Sequence, residues 1–169
     1  MILGLSTPVF TWVHVVLSLI GMVSGAVVVL GMFGAKKLSG WTALFLVTTI
    51  LTSVTGFLFP FTKFEPSHAV GILSLAVLAI ALLALYVQRL EGPWRWIYVA
   101  GAVVALYFNV FVGVVQAFQK LSPLKPLAPT QSEPPFLIAQ VIVLGIFIAL
   151  GVAAARLFHP DSETPTVRL

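Results

Sequence analysis

The sequence predicts an all-α integral membrane protein, a bundle of five transmembrane helices with its N-terminus outside and its C-terminus in the cytoplasm. Three observations predict it. First, 60% of the 169 residues are hydrophobic and 8% are charged, whereas about a quarter of an ordinary water-soluble domain is charged. Second, most of the chain is taken up by apolar runs, each about 20 residues or longer. At about 1.5 Å per residue such a run crosses a hydrocarbon core of about 30 Å. Third, the Lys and Arg residues fall almost wholly between those runs. Lipid offers the backbone no hydrogen-bond partner and the runs lack the alternation of barrel strands, so the spans are helices.

The first run, Val9 to Phe33, has no basic region ahead of it and is much longer than the about 7–15 apolar residues of a secretory signal. It reads as a mature helix, although Ser24-Gly25-Ala26 supplies small residues. Gly34 to Gly40, with Lys36 and Lys37, is a tight charged turn before the second run, Trp41 to Pro60. The connection from Pro60 to Ser67 holds two prolines and leads to the third run, Ala69 to Gln88. Glu91-Gly92-Pro93 breaks the chain before the fourth, Trp94 to Phe118, with proline near a helix start. Residues 119–135 contain Pro123, Pro126, Pro129, Pro134 and Pro135, too many for a helix, and are expected to be an extended periplasmic loop with too few apolar residues for a core. That loop is either a solvated connector or a surface for a membrane or periplasmic protein partner. The fifth run is Phe136 to Phe158, and residues 160–169 form a short polar cytoplasmic tail. A single transmembrane domain, 1–159, is expected.

Charge sets the orientation. Lys36, Lys37, Arg89, Arg95, Arg156 and Arg168 share one side, and Lys63, Lys120 and Lys125 the other. The positive-inside rule makes the first side cytoplasmic. Trp41, Trp94 and Trp96 then lie at the inner interface and Trp12 at the outer one.

The same composition excludes much chemistry. There is no cysteine, hence no disulfide, thiolate metal site or cysteine nucleophile. The net charge of +4 is scattered over short loops and forms no patch for nucleic acid. Glu65, Glu91, Glu133, Asp161 and Glu163 are all in loops or the tail, which counts against an ion-coupled pump or transporter. Ser18 is one turn from His14, but no acid at that depth orients the imidazole, and no HExxH or GxSxG motif occurs. No catalytic residue and no metal site is expected.

The polar residues left inside are mostly in the outer half. His14, Gln116 and Gln140, with Asn109 closer to mid-membrane as a floor, are expected to enclose a polar pocket beneath the 119–135 loop, or else to act as interhelical adhesion. His14, Ser18, Gly21 and Gly25 share one face of the first helix, with Gly21 and Gly25 in GxxxG spacing. Thr49, Ser53 and Gly56 form a small polar stripe on the second helix, and Ala102 and Ala105 lie with Asn109 on the fourth. All of these read as packing faces. His14 and His68 are on the same predicted side and are the one candidate pair of axial haem ligands, although their depths differ by about a helical turn. His159 is an ordinary interfacial histidine.

Trp12-Val-His14, Gly40-Trp41-Thr42, the run Leu51 to Phe57, the run Leu106 to Phe111 and the loop Leu127 to Pro135 together resemble a family of small polytopic inner-membrane proteins of bacteria with no assigned activity. The resemblance covers nearly the whole chain and implies a bacterial inner-membrane location. A looser likeness, a histidine early in helix one and a threonine-glycine step late in helix two, is to haem-bearing four-helix membrane cytochromes. The expected function is a binding or structural component in the lipid bilayer, without a cofactor, as a subunit of a larger membrane complex. The alternatives are a b-type haem electron carrier using His14 and His68 and, behind it, a small-solute transporter.

Overall fold

Every backbone N–H in a bilayer core needs an acceptor within its own helix, and in the computed structural model, which describes residues 1–60 and 66–160, this need is met by five long helices. They are α1 (Thr7–Phe33), α2 (Ser39–Gly56), α3 (Pro66–Leu82), α4 (Trp94–Lys120) and α5 (Pro134–Leu157). All five are long and apolar enough to cross a membrane, α3 together with the turn that continues it. No strand forms among the described residues; Ile2 and Leu5 pair across a tight turn in which Leu3 and Gly4 have positive φ. Lys63 and Glu65 in the second connection, and Asp161, Glu163 and Arg168 in the tail, lie outside the described residues.

The helix ends differ from expectation for local reasons. Helices α1 and α5 start two residues early because proline occupies the first turn of each, where the N–H has no intrahelical acceptor in any case. Helix α2 stops at Gly56, short of Pro60, and its end tightens as Phe57 N donates to Val54 O and Leu58 N to Thr55 O. The last turn of the third span, Leu83–Val87, widens to π geometry, with Gln88 N donating to Leu83 O. Arg89 and Leu90 follow in the left-handed region.

Helices α1 to α4 form a ring in which each touches the next and α4 closes on α1; α5 packs outside, on α4 and α1. The main apolar core draws on the second half of α1 (Val28, Val29, Met32), the first half of α2 (Phe45, Leu46), the end of the third span (Leu78, Ala81, Ala84), the first half of α4 (Tyr98, Ala102, Leu106) and the end of α5 (Ala154, Phe158). These segments all lie toward the end of the bundle that carries the Lys36, Arg89 and Arg156 turns. Four of the polar contacts between helices, made by His14, Ser53, Asn109 and Gln140, occupy the middle and the opposite half, while Arg95 to Phe158 O and Tyr98 to Thr42 lie at the first end. Gly25 fixes how closely the core helices meet, since a Cβ there would lie 2.7 Å from both Leu106 and Phe45.

Residues 119–135 are folded rather than extended, which corrects the expectation. Helix α4 continues to Lys120, a short 3-10 turn spans Lys125–Leu127, and Ala128 is buried in a small cluster with Phe118 and Phe136. Proline fixes φ and removes a donor without preventing turns, so the prolines order this segment. Gln131 Nε2 donates to Val115 O at 3.1 Å. The Glu133 carboxylate accepts from the Thr130 hydroxyl at 2.9 Å and from the Thr130 and Ser132 amides at 3.1 Å. Slight desolvation pushes the Glu133 pKa up, but these donors outweigh it and hold the carboxyl below the usual range.

Candidate functional site

A helix satisfies hydroxyls away from water by returning them to its own carbonyls, and α2 does so repeatedly. Thr48 donates to Leu44 O, Ser53 to Thr49 O and Thr55 to Leu51 O. What remains of each hydroxyl, its acceptor lone pairs, is then available to neighbouring helices. The polar half of the bundle is built on this arrangement.

His14 on α1 places Nδ1 2.8 Å from Thr55 Oγ1. The Thr55 hydroxyl also reaches Leu51 O at 2.7 Å; when it donates there, the imidazole donates from Nδ1 and keeps its lone pair on Nε2. Gly56 leaves space beside the ring, since a Cβ there would be 3.7 Å from His14 Cε1. The Phe59 ring packs edge-on against the imidazole with centroids 5.3 Å apart. Ser18 turns back to His14 O at 2.8 Å and serves α1 itself.

Deeper in the bundle, Asn109 Nδ2 on α4 donates to Thr49 Oγ1 on α2 at 3.1 Å. Gly21 of α1 faces this pair, and a Cβ at that position would lie 3.2 Å from both atoms. Ser53 Oγ, 3.2 Å from Ser74 Oγ, joins α2 to α3, its one hydrogen shared with Thr49 O. Gln140 on α5 is buried and donates from Nε2 to Phe111 O of α4 at 3.2 Å; its Oε1 has no hydrogen-bond partner among the described residues. Gln116 is exposed on α4.

His14, Asn109 and Gln140 thus sit at separate helix seams: α1 with α2, α2 with α4, and α4 with α5. His68 is buried at the start of α3, its ring 5.9 Å from that of Phe57, which itself packs on Gly71. Thr55, Ser74, Phe57 and Phe59 are partners that sequence reasoning missed. The signal for Thr55 was present: Thr48, Thr52 and Thr55 follow i, i+4, i+7 beside the Thr49 stripe, so hydroxyls cover two adjoining faces of α2. Among the described residues no group of three or more His, Asp or Glu side chains could hold a metal ion.

Comparison with known proteins identifies no relative: no family model, no curated protein and no solved structure matches the chain.

Proposed function

We propose that the protein is a non-catalytic binding or structural component of the bacterial inner membrane, a subunit that contributes its helices to a larger membrane assembly. The observation that carries this reading is the use of the intramembrane polar groups. Imidazole, amide and hydroxyl side chains tie α1 to α2, α2 to α4, α2 to α3 and α4 to α5. Arg95, Lys120 and Arg156, the charged residues within the helices, all lie in first or last turns, where they line no path through the membrane. Helix α5, with 17% of its most apolar window buried against 39% for α4, leaves a wide apolar face for lipid or for further helices.

If these polar contacts are adhesive, Asn109→Ala and Thr49→Ala each destabilise the bundle, and the double mutant shows a coupling of about 0.6 kcal/mol and at most about 2. Detergent-titrated unfolding of the purified protein measures it. Zero coupling would remove the support for adhesion.

A second reading, a b-type haem electron carrier, is favoured by one observation: the His14–Thr55 hydrogen bond uses Nδ1, which leaves Nε2 as the ring nitrogen for a ligand. Against it, Phe59 and Phe57 pack on the two imidazoles, so paired ligation by His14 and His68 requires both rings to move. The same preparation, expressed with ample haem, is expected to show no reducible Soret band. A band lost in both His14→Ala and His68→Ala would replace the structural reading with the electron-carrier one. No observation favours a small-solute transporter.

The proposed orientation, N-terminus outside and C-terminus in the cytoplasm, is supported by the Lys and Arg asymmetry. Reporter fusions after Lys37 and Arg95 are expected to report cytoplasm, and fusions between Lys120 and Glu133 periplasm; the inverse pattern would overturn it.

A further inference from the structure

Between the first half of α4 and the second half of α5 runs a groove of about 410 Å³ with wholly apolar walls, among them Trp96, Val103, Tyr107, Leu144, Phe147 and Val152. Its volume falls within the about 300–1,000 Å³ of small-molecule sites. From Trp96 to Tyr107 it is about 16 Å long at about 1.5 Å per residue, about half of a hydrocarbon core of about 30 Å. At the mid-membrane end it is lined by Leu144, Tyr107 and Phe147, the last two with rings edge-on at 5.6 Å. At the other end two arginines adjoin wall residues in the sequence, Arg95 beside Trp96 and Arg156 beside Ala155. Arg95 lies over the Trp96 ring at 4.8 Å and donates to Phe158 O. Arg156 is exposed, next to the wall residue Ala155 and one turn beyond Val152. Glu91 is the one acid in the turn before α4, against Arg89 and these two arginines.

We infer that this groove binds one acyl chain of an anionic phospholipid from the leaflet at the arginine-bearing end, with the headgroup phosphate on Arg156 and Arg95. The length decides between occupants. A transmembrane helix of a partner or of a second copy needs contact over the whole hydrocarbon depth, whereas a groove that stops at mid-membrane matches a chain entering from one leaflet. The charges decide the headgroup. Arg95 is braced by Phe158 O and by the wall residue Trp96, while the exposed Arg156 supplies the second, adaptable donor set. A tryptophan at the same level is an ordinary interfacial anchor. The inference requires that the chain span a membrane and does not depend on the subunit role proposed above.

The test places the protein in phosphatidylcholine vesicles containing a minority of phosphatidylglycerol brominated on its acyl chains, with brominated phosphatidylcholine as the comparison. The readout is quenching of Trp96, taken as wild type minus Trp96→Phe. Half-saturation is expected at an about thirtyfold lower mole fraction of phosphatidylglycerol than of phosphatidylcholine, the contribution of two basic residues at about 1 kcal/mol each. Arg156→Gln should cut that preference about fivefold, and Ala100→Phe, at an exposed wall position, should remove saturable quenching by either lipid. A second measurement needs no substitution: phosphatidylglycerol, and not phosphatidylcholine, should raise the unfolding temperature of the detergent-solubilised wild type. Equal quenching by the two lipids with no thermal difference overturns the proposal. So does quenching unchanged in Ala100→Phe, or a discrete oligomer that covers Trp96 and excludes both lipids.

Discussion

Replacing Phe45 with Ala is expected to lower the unfolding free energy by about 3 kcal/mol, the lower end of the about 3–5 seen for buried Phe→Ala changes in water-soluble cores. Phe45 is fully buried, and it packs against the backbone of α1 at Gly25. Its removal opens a cavity that backbone cannot fill and that Leu106 can fill only by leaving its own contacts. The estimate is taken at the lower end because helices unfolded within lipid still bury their apolar side chains in hydrocarbon, which removes the transfer part of the penalty and leaves the packing part. Detergent-titrated unfolding checks it. A loss below about 1 kcal/mol would mean that the α1–α2–α4 junction is looser than its close approaches indicate.

How much of this was legible in the sequence depends on the residue type. The spans were legible because length and polarity alone determine them, and the breaks at Lys36, Arg89 and Pro93 were legible because charge and proline cannot be placed at random in lipid. Rotation about each helix axis was not. In a soluble helix the polar face identifies the apolar one, but in α5 the exposed side is Leu, Ile and Val, and the buried side, with Phe136, Gln140 and Ala154, is no more apolar. Gln116 and Gln140 show the consequence. They are the same residue type at comparable depth, yet Gln140 is buried against Phe111 O and Gln116 is exposed. The pairing of seams was equally hidden, because His14 needed Thr55 and Asn109 needed Thr49, and nothing in one helix names the turn of another. Residues 119–135 differ for another reason: proline density does not separate an extended loop from a folded one, and Ala128 with Phe118 and Phe136 gives this segment a small core of its own. The π turn at Leu83–Val87 has no proline or glycine to announce it.

Gly25 allows the close packing of α1 to be tested against helix propensity in one matched pair. Taken as an isolated helix, α1 gains from Gly25→Ala about 1 kcal/mol. In the bundle the new methyl would sit 2.7 Å from Leu106 Cδ1 and from Phe45 Cε2, and both side chains are buried, at 3% and 0% exposure. Neither has open space to move into, so α1 must shift outward along its contact with α2 and α4, at an overpacking cost of about 1–3 kcal/mol. Gly145 on α5 has nothing within 4 Å of the same added atom. Gly145→Ala therefore keeps the propensity gain without the clash and is expected to be neutral or stabilising, while Gly25→Ala is destabilising. The sign of the difference does not depend on the size of either term. Introducing Phe45→Leu together with Gly25→Ala should recover part of the loss, because the shorter side chain vacates the space that the methyl needs; two independent penalties that simply add would show that the defect in Gly25→Ala does not arise at this contact. If Gly25→Ala and Gly145→Ala change stability alike, the GxxxG face of α1 is not where the helices are held together.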